Sequence, residues 1–203
     1  MRRASLLLAP LGVVLLAGLA AGTSVLRLDF DELVSHAVAI LEGRVVAVEP
    51  GLDARGMIVT RVTVVVDRGF KGVGGGETFQ LALPGGELGD LGTVVAGMPR
   101  FERGEDVLLF ATEETERGVR LPVGLGQGVW RVRTDPISGA RTLHRSYGDV
   151  SVFDRSGEPL PTPAPESVDH AVLVERLERA LADQAAPGHE TETETGADDE
   201  AGR

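Results

Sequence analysis

Two successive β-rich segments constrain the fold of this chain more than any other feature. The segment "MIVTRVTVVVDR", residues 57–68, alternates so that Ile58 and its even-numbered neighbours face one side of a strand and Val59 and its odd-numbered neighbours face the other. The preceding segment "AVAILEGRVVAVEP", residues 37–50, is largely apolar and is interrupted by Gly43. We expect two strands here, the first with a bulge or sharp coil at Gly43.

Shorter segments of the same character follow along the chain. Their sequences are "ETFQLAL" (77–83), "EDVLLFAT" (105–112), "GVRLPVG" (118–124), "GVWRVRT" (128–134) and "ARTLHRS" (140–146). The last two are joined by the turn "DPISG", which is typical of a hairpin. The pattern predicts a mainly β fold.

A glycine-rich stretch, "FKGVGGGE" at residues 70–77, resembles a phosphate-binding loop. A Walker-type loop places its lysine after the glycines, followed by Ser or Thr and then a helix whose N-terminal amides hold the phosphate. Here Lys71 precedes the glycines, the next segment is a predicted strand, and Glu77 stands where a dinucleotide-binding motif has its third glycine. We therefore expect a hairpin connection and no nucleotide or other cofactor.

Two helices are predicted at the ends of the folded region. Asp29 and Glu32 have the spacing of a capping box at the start of a short N-terminal helix. Residues 167–183 form an amphipathic pattern that we expect to begin at an N-capping Ser167. Its apolar stripe consists of Val172, Leu173, Leu177, Ala180 and Leu181. The stripe favours packing on the chain's own domain over docking on a partner.

The remaining segments divide the chain. Residues 1–22 combine a basic start with an uncharged apolar run and predict a signal peptide, cleaved after Ala20 or Gly22, with an uncleaved anchor as the alternative. Residues 23–155 form the β domain, 156–166 a proline-rich linker, and 184–203 an acidic, disordered tail. We expect a secreted or periplasmic protein without a membrane span once the signal is removed.

Composition argues against several kinds of function. The chain of 203 residues has a formal net charge of −11, which disfavours nucleic acid as a partner. It has no cysteine, so thiol catalysis and cysteine-based zinc sites are excluded. Its four histidines do not follow the helical His-Glu-x-x-His pattern, and no Gly-x-Ser-x-Gly motif is present. We predict no catalytic, cofactor-binding or metal-binding residues.

One charged cluster is a candidate binding site. Arg131 and Arg133 share one face of a predicted strand, and Arg141 and Arg145 share a face of its hairpin partner. Paired across the hairpin, the four arginines would form a positive plate for an anionic partner. The alternative is that acidic loops or the acidic tail neutralise them.

The order of these parts resembles a known family. A short helix that leads into "HAVAILEGRVVAVE", a strand that ends in "VDRGFKG", a glycine-rich hairpin and "FERGEDVLLFA" after a long loop are similar to the netrin-like module, the barrel domain of the tissue inhibitors of metalloproteases. Many uncharacterised secreted bacterial proteins are similar as well. The resemblance covers about residues 29–130. It implies an OB-like five-stranded barrel, here with an added C-terminal hairpin, the short N-terminal helix and the C-terminal amphipathic helix.

The resemblance also implies a function, with one clear difference. The inhibitors of that family place their N-terminal amine and carbonyl on the zinc of a protease, held there by a disulfide at an N-terminal cysteine. This chain lacks cysteine, and we expect the segment before Asp29 to be untethered, so the inhibitory device would not carry over.

The sequence thus predicts a non-catalytic binding module that recognises a protein or an envelope polymer. One alternative is an inhibitor or chaperone of a co-secreted protease, and a second is a hydrolase whose active-site residues are dispersed along the chain. OB-type folds bind oligonucleotides, sugars and proteins, so the fold alone does not choose the ligand.

Overall fold

A computed structural model describes residues 24–147, 150–161 and 163–186, and these form a mainly β structure with two α-helices. In chain order the elements are β1 (Ser24–Leu26), α1 (Phe30–His36), β2 (Ala39–Leu52), β3 (Ile58–Lys71), β4 (Thr78–Pro84), β5 (Gly86–Leu88), β6 (Leu91–Thr93), β7 (Asp106–Ala111), a 3₁₀ helix (Leu125–Gly128), β8 (Val129–Thr134), β9 (Arg141–Arg145), β10 (Ser151–Phe153), β11 (Pro159–Leu160), β12 (Glu166–Asp169) and α2 (His170–Ala185). The mainly β prediction is confirmed.

Seven strands form one antiparallel sheet in the order β12-β9-β8-β7-β2-β3-β4. Strands β5 and β6 form a separate hairpin, and β1, β10 and β11 form a small third sheet in which β1 and β10 are parallel. The large sheet has two edges, β4 and β12. Its described strand ladders do not close into a five-stranded barrel.

The pairing of the two longest strands is irregular at the predicted place. Strands β2 and β3 have 14 residues each, and their pairing shifts register between Glu42 and Gly43. A Cβ at Gly43 would collide with the carbonyl oxygen of Val65, so only glycine allows β3 to approach this closely. The bulge predicted at Gly43 is confirmed.

Apolar side chains cover both faces of the sheet and form two cores. The strand-side core lies among the curved strands and the loop that leads to β7, and its largest members are Leu41, Phe79, Leu81, Leu83, Phe101 and Leu109. The helix-side core lies between the sheet and both helices, and its largest members are Phe30, Leu33, Ile40, Leu108, Phe110, Trp130, Leu143, Leu173 and Leu177. Because neighbouring residues of a strand point to opposite faces, Leu108 and Leu109 of β7 belong to different cores.

The N-terminal helix begins as predicted. The backbone N–H of Glu32 donates to Asp29 Oδ1 at 2.8 Å, and the N–H of Asp29 donates to Glu32 Oε2 at 2.8 Å, which completes the capping box. The carbonyl oxygen of Val34, near the end of α1, accepts a hydrogen bond of 2.9 Å from Lys71 Nζ. Burial lowers the pKa of this lysine. The end of β3 therefore stabilises the end of α1.

The C-terminal helix begins later than predicted. Asp169 is the N-cap and its carboxylate accepts the backbone N–H groups of Ala171 and Val172. Ser167, the expected cap, lies in β12 opposite His144. The predicted boundary is wrong because pairing with β9 keeps residues 166–169 extended. Of the predicted stripe, Val172 is exposed, whereas Leu173 and Leu177 pack on the helix-side core as expected.

Other segment predictions have mixed outcomes. Part of the expected linker 156–166 is paired structure, since β11 and the start of β12 lie within it. The strand expected at residues 118–124 is wrong, because the segment makes only isolated bridges, Ala82–Arg120 and Ala111–Pro122, and Pro122 has no N–H with which to continue a ladder. The expected signal peptide, and the tail beyond residue 186, lie outside the described residues.

The segment before α1 is held in place, contrary to expectation. Strand β1 pairs with β10, and the backbone N–H of Arg27 donates to the carbonyl oxygen of Phe153 at 2.9 Å. The buried side chain of Gln127 accepts the N–H of Leu28 through Oε1 at 2.9 Å and donates through Nε2 to the carbonyl oxygen of Leu26 at 2.9 Å. The prediction of an untethered segment is wrong from Ser24 onward.

The glycine-rich stretch connects β3 to β4, which are antiparallel neighbours, so the predicted hairpin is confirmed. Its first glycine also has a packing role. Gly72 has a φ of 65°, and a Cβ there would collide with the carbonyl oxygen of Val38.

In the described part of the chain, no helix is both long and apolar enough to cross a membrane.

Candidate functional site

The four arginines of the predicted plate lie on opposite faces of the sheet. In the hairpin of β8 and β9, Arg131 is opposite His144 and Arg133 is opposite Thr142. Directly paired residues share a face, so odd-numbered residues of β8 lie with even-numbered residues of β9. Arg141 and Arg145 therefore project from the face opposite to Arg131 and Arg133. The prediction of a single plate is wrong, because the hairpin register was not known from the sequence.

Three of these arginines also have acidic partners. Arg131 Nε donates to Glu105 Oε1 at 3.2 Å, Arg141 pairs with Glu42, and Arg145 donates to Glu166 Oε2 at 2.7 Å. Acids on β2 and β12 and in the loop before β7 thus neutralise these three arginines, as the alternative interpretation anticipated for acidic loops. Partner binding by any of the four residues stays a prediction.

A buried carboxylate was missed by the sequence analysis. Glu42 lies on the helix side of β2, and its side chain pairs with Arg141 and, at 2.8 Å, with His170 Nε2. These contacts join the start of α2 to β2 and β9. The signal for this site was a single charged residue within the apolar run "AVAILEG". Because Glu42 is enclosed by its partners, it acts as a structural tie between helix and sheet.

The described residues contain no group of three or more His, Asp or Glu side chains that could hold a metal ion. Binding sites of other kinds are usually concave clefts or cavities.

A cleft with a volume of about 600 Å³ opens at one end of the strand-side core. The far half of β2, the start of β3 and the end of β4 form one wall, and residues 92–101 form the other. Val62, Leu83 and Phe101 line the cleft and also belong to the strand-side core. The cleft is therefore an apolar opening into the interior.

A glycine pair positions one wall of this cleft. Gly85 and Gly86 have φ values of 96° and 133°, and both line the cleft where the small β5–β6 hairpin begins. A Cβ at Gly86 would collide with Thr60 Oγ1, which itself donates to the carbonyl oxygen of Gly85 at 2.8 Å. The hairpin is thus held against β3. The repeated glycines of "LPGGELGDLG" were the sequence signal for this turn.

Exposed apolar side chains lie in the lining of this cleft or on the hairpins that contribute to it. Val94 lines the cleft and is 80% exposed, and Leu91 of the β5–β6 hairpin is 69% exposed. Leu52 and Met57 are also exposed, at the tip of the β2–β3 hairpin whose Pro50 lines the cleft. Glu87 and Arg100 are the charged residues of the lining. We name this opening and its rim the apolar cleft.

An apolar cavity with exposed apolar groups on the elements that line it is typical of an interaction site. Comparisons of this chain with family models, with curated proteins and with solved structures gave no match.

Proposed function

We propose that this protein is an exported, non-catalytic binding module that recognises an apolar segment of a partner protein in the apolar cleft. The observation that carries the proposal is the apolar opening into the strand-side core, with Val94 exposed in its lining and Leu91 exposed on the β5–β6 hairpin that contributes to it. Burial of one large aliphatic side chain of a partner contributes about 1.5–3 kcal/mol. Burial of the rim residues by the same partner adds to this.

A protein segment suits this cleft better than an envelope polymer. Sugar rings and anionic chains are held by aromatic faces, arginines and hydrogen-bonding groups. The lining of the apolar cleft contains one aromatic residue, Phe101, and one arginine, Arg100. Trp130 and Tyr147 line a different cleft. The lining therefore matches apolar side chains.

We further propose an OB-like barrel related to the netrin-like module. Two isolated bridges support this architecture. Ala82 of the edge strand β4 pairs with Arg120, and Ala111 at the end of β7 pairs with Pro122. Residues 120–122 thus contact both β4 and β7, which are the positions that a fifth barrel strand would join.

Export is part of the proposal and rests on residues 1–22. Their basic start and apolar run are typical of a secretory signal. Expression in a bacterial host with a secretion pathway, followed by N-terminal sequencing of the exported protein, should give Ala21 or Thr23 as the first residue. A protein that retains Met1 and stays in the cytoplasm would contradict this part of the proposal.

The binding proposal is tested by selecting peptides from a random displayed library on the purified protein. We expect apolar consensus peptides whose binding is lost in the double variant Leu91→Asp with Val94→Asp. The matched control is Ile137→Asp, since Ile137 is 96% exposed in the β8–β9 turn and lies outside the cleft. Peptides without an apolar consensus, or equal binding by all three proteins, would refute the proposal.

A second candidate is an inhibitor or chaperone of a co-secreted protease. One observation favours it. Pairing with β10 and the Gln127 hydrogen bonds hold the segment from Ser24 to Leu28 without a disulfide. A terminus created after Gly22 would begin one residue before this ordered segment. Preorganisation of this kind lowers the entropic cost of presenting an N-terminal amine to a protease metal.

The test of this candidate is titration of a panel of metalloproteases with protein that carries its natural mature terminus. A version with one additional N-terminal Ala is the control. Stoichiometric inhibition that disappears with the added Ala would support the inhibitor, and absence of inhibition in both would reject it.

A further inference from the structure

A second cleft, on the other side of the molecule, differs in chemistry from the apolar cleft. It has a volume of about 430 Å³ and lies between the start of α1, the first turns of α2 and the strands β8, β9 and β12. Three aromatic residues line it, and Phe30, Trp130 and Tyr147 are all buried. We name it the arginine cleft because Arg27, Arg145 and Arg176 also line it.

The innermost arginine is fixed in place. The guanidinium carbon of Arg145 lies 4.4 Å from the centre of the Trp130 ring and 5.2 Å from that of Tyr147. Arg145 also donates to Glu166 Oε2 at 2.7 Å and to the carbonyl oxygen of Gln127 at 3.2 Å. Tyr147 donates its hydroxyl to Glu166 Oε1 at 3.1 Å, and burial raises the pKa of this phenol, which keeps it a donor. These contacts form a rigid polar wall.

The two outer arginines are unpaired within the described structure. Arg27 and Arg176 are exposed, and neither guanidinium forms an ion pair with a described carboxylate. The guanidinium carbon of Arg176 lies 4.3 Å from the centre of the Phe30 ring. Two cations without a carboxylate partner among the described residues therefore stand beside an aromatic surface, on a chain whose formal net charge is −11.

Both carboxylates that line this cleft already accept hydrogen bonds within the described structure. Glu166 is shared by Arg145 and Tyr147, and Asp29 accepts the N–H of Glu32. By contrast, the buried nitrogens Trp130 Nε1 and Arg145 Nε have no hydrogen-bond partner among the described residues. The wall of the cleft thus has more donors than acceptors, which is the arrangement that an anionic ligand complements.

We propose that the arginine cleft binds a carboxylate attached to an apolar group, as at the C-terminal end of a peptide whose last residue is apolar. Arg27 and Arg176 hold the carboxylate, and the apolar group packs against the aromatic lining. The volume suits one or two amino-acid residues, since ligand pockets begin at about 300 Å³. This site is separate from the apolar cleft, and its test does not depend on the function proposed there.

The test uses three peptides on the full-length mature protein. They are acetyl-Ala-Ala-Phe with a free carboxylate, the same peptide as its amide, and acetyl-Ala-Glu-Phe-amide, which carries its carboxylate on a side chain. Trp130 is the only tryptophan of the chain, so its fluorescence reports directly on this cleft. We expect the free-carboxylate peptide to bind about tenfold or more tightly than its amide, because a charged acceptor strengthens the hydrogen bonds of arginine.

Two further comparisons test the position of the carboxylate and the role of the arginines separately. If the third peptide binds as well as the first, the ligand class is a side-chain carboxylate and the chain-end assignment is wrong. The double variant Arg27→Gln with Arg176→Gln should weaken binding of the first peptide about tenfold or more. The control, Arg103→Gln with Arg179→Gln, makes the same charge change at exposed residues that do not line the cleft and should leave affinity unchanged.

Circular dichroism and thermal unfolding establish that both double variants remain folded. Equal affinity for acid and amide would overturn the proposal. Equal weakening in both double variants, or no saturable fluorescence change at millimolar peptide, would overturn it as well.

Discussion

On the strand side of the large sheet the buried side chains are apolar, whereas the helix side of the described structure buries charged groups as well. Leu81, Leu109 and their neighbours fill the strand side and leave an apolar opening at one end. The helix side includes Glu42 and Arg145, both more than nine-tenths buried and both ion-paired. One sheet therefore separates two different chemical environments.

The difference follows from what covers each face. Strands that curve over one another bring regular backbone and apolar side chains together, and hydrogen-bonded ladders satisfy their polar groups. Separate helices and chain ends must be attached to the other face. Directional contacts such as Glu42 with His170 and Gln127 with Leu28 fix their positions.

The largest expected losses of stability come from substitutions in the two cores, which can be compared within one strand. Leu108 and Leu109 are both fully buried in β7. Leu108 points to the helix side and Leu109 to the strand side. Each substitution by Ala should lower the free energy of unfolding by about 2–5 kcal/mol. Leu109→Ala should cost more, because strands held by ladders relax less into a cavity than helices do. Chemical denaturation measures both, and a larger loss for Leu108→Ala would contradict this account.

The next effect tests the buried charge of the helix side. Glu42→Gln should lower the free energy of unfolding by about 1–3 kcal/mol, because Arg141 and His170 lose a charged partner in an enclosed place. The control is Glu178→Gln. That glutamate pairs with Arg68 at the surface, where such pairs contribute at most about 1 kcal/mol. Equal losses in the two variants would show that burial of Glu42 has no special importance.

A local effect should appear at the N-terminal segment. Gln127→Ala removes both side-chain hydrogen bonds to Leu26 and Leu28 and should cost about 1–2 kcal/mol. Hydrogen exchange at the Leu28 amide should accelerate, while exchange at the centre of β3 should change only with global stability. Unaltered exchange at Leu28 would mean that pairing of β1 with β10 is sufficient to hold the segment.

The smallest effect concerns three turns outside both cores. Hydrogen bonds from nearby backbone N–H groups and serine hydroxyls lower the pKa of Asp53, Asp135 and Asp154. A lowered folded-state pKa stabilises the fold above the ordinary carboxyl value of about 4, and this contribution is lost as pH falls through the lowered value. The triple Asp→Asn variant should therefore be less stable than the parent at neutral pH.

The same variant should approach the parent's stability below the lowered pKa values. Unfolding by urea at both pH values measures this difference. If the triple variant remained less stable than the parent in acid, the loss of stability would come from the geometry of the introduced asparagine amides and not from the loss of charge.

Local signals in the sequence predicted local structure well. The capping box at Asp29, the bulge at Gly43 and the hairpin after Lys71 each depend on residues close together in the chain, and all three are confirmed. Failures occurred where long-range pairing overrides local preference. Ser167 is a good N-cap by residue type, yet pairing of β12 with β9 moves the start of α2 to His170.

The candidate sites show the same limit. The arginines of β8 and β9 were correctly placed on strands. Which face each one occupies depends on the hairpin register, and a shift of one residue, which the sequence does not exclude, reverses the faces. The glycines of "LPGGELGDLG" are a local signal for a turn, but the apolar cleft behind it requires contacts between β2, β3, β4 and residues 92–101. Its exposed rim was invisible in the sequence, since Leu91 and Val94 look like ordinary core residues.

The sequence by itself determined the strand-rich character of this protein, its cap, its bulge and its hairpin turns, because backbone preference and alternation act over a few residues. Only the tertiary structure decided that Gln127 holds the N-terminal segment, that Glu42 meets His170, and that three arginines surround one aromatic cleft. These contacts join residues far apart in the chain, and their geometry depends on strand register and on how the sheet curves. Neither quantity is encoded by any single segment.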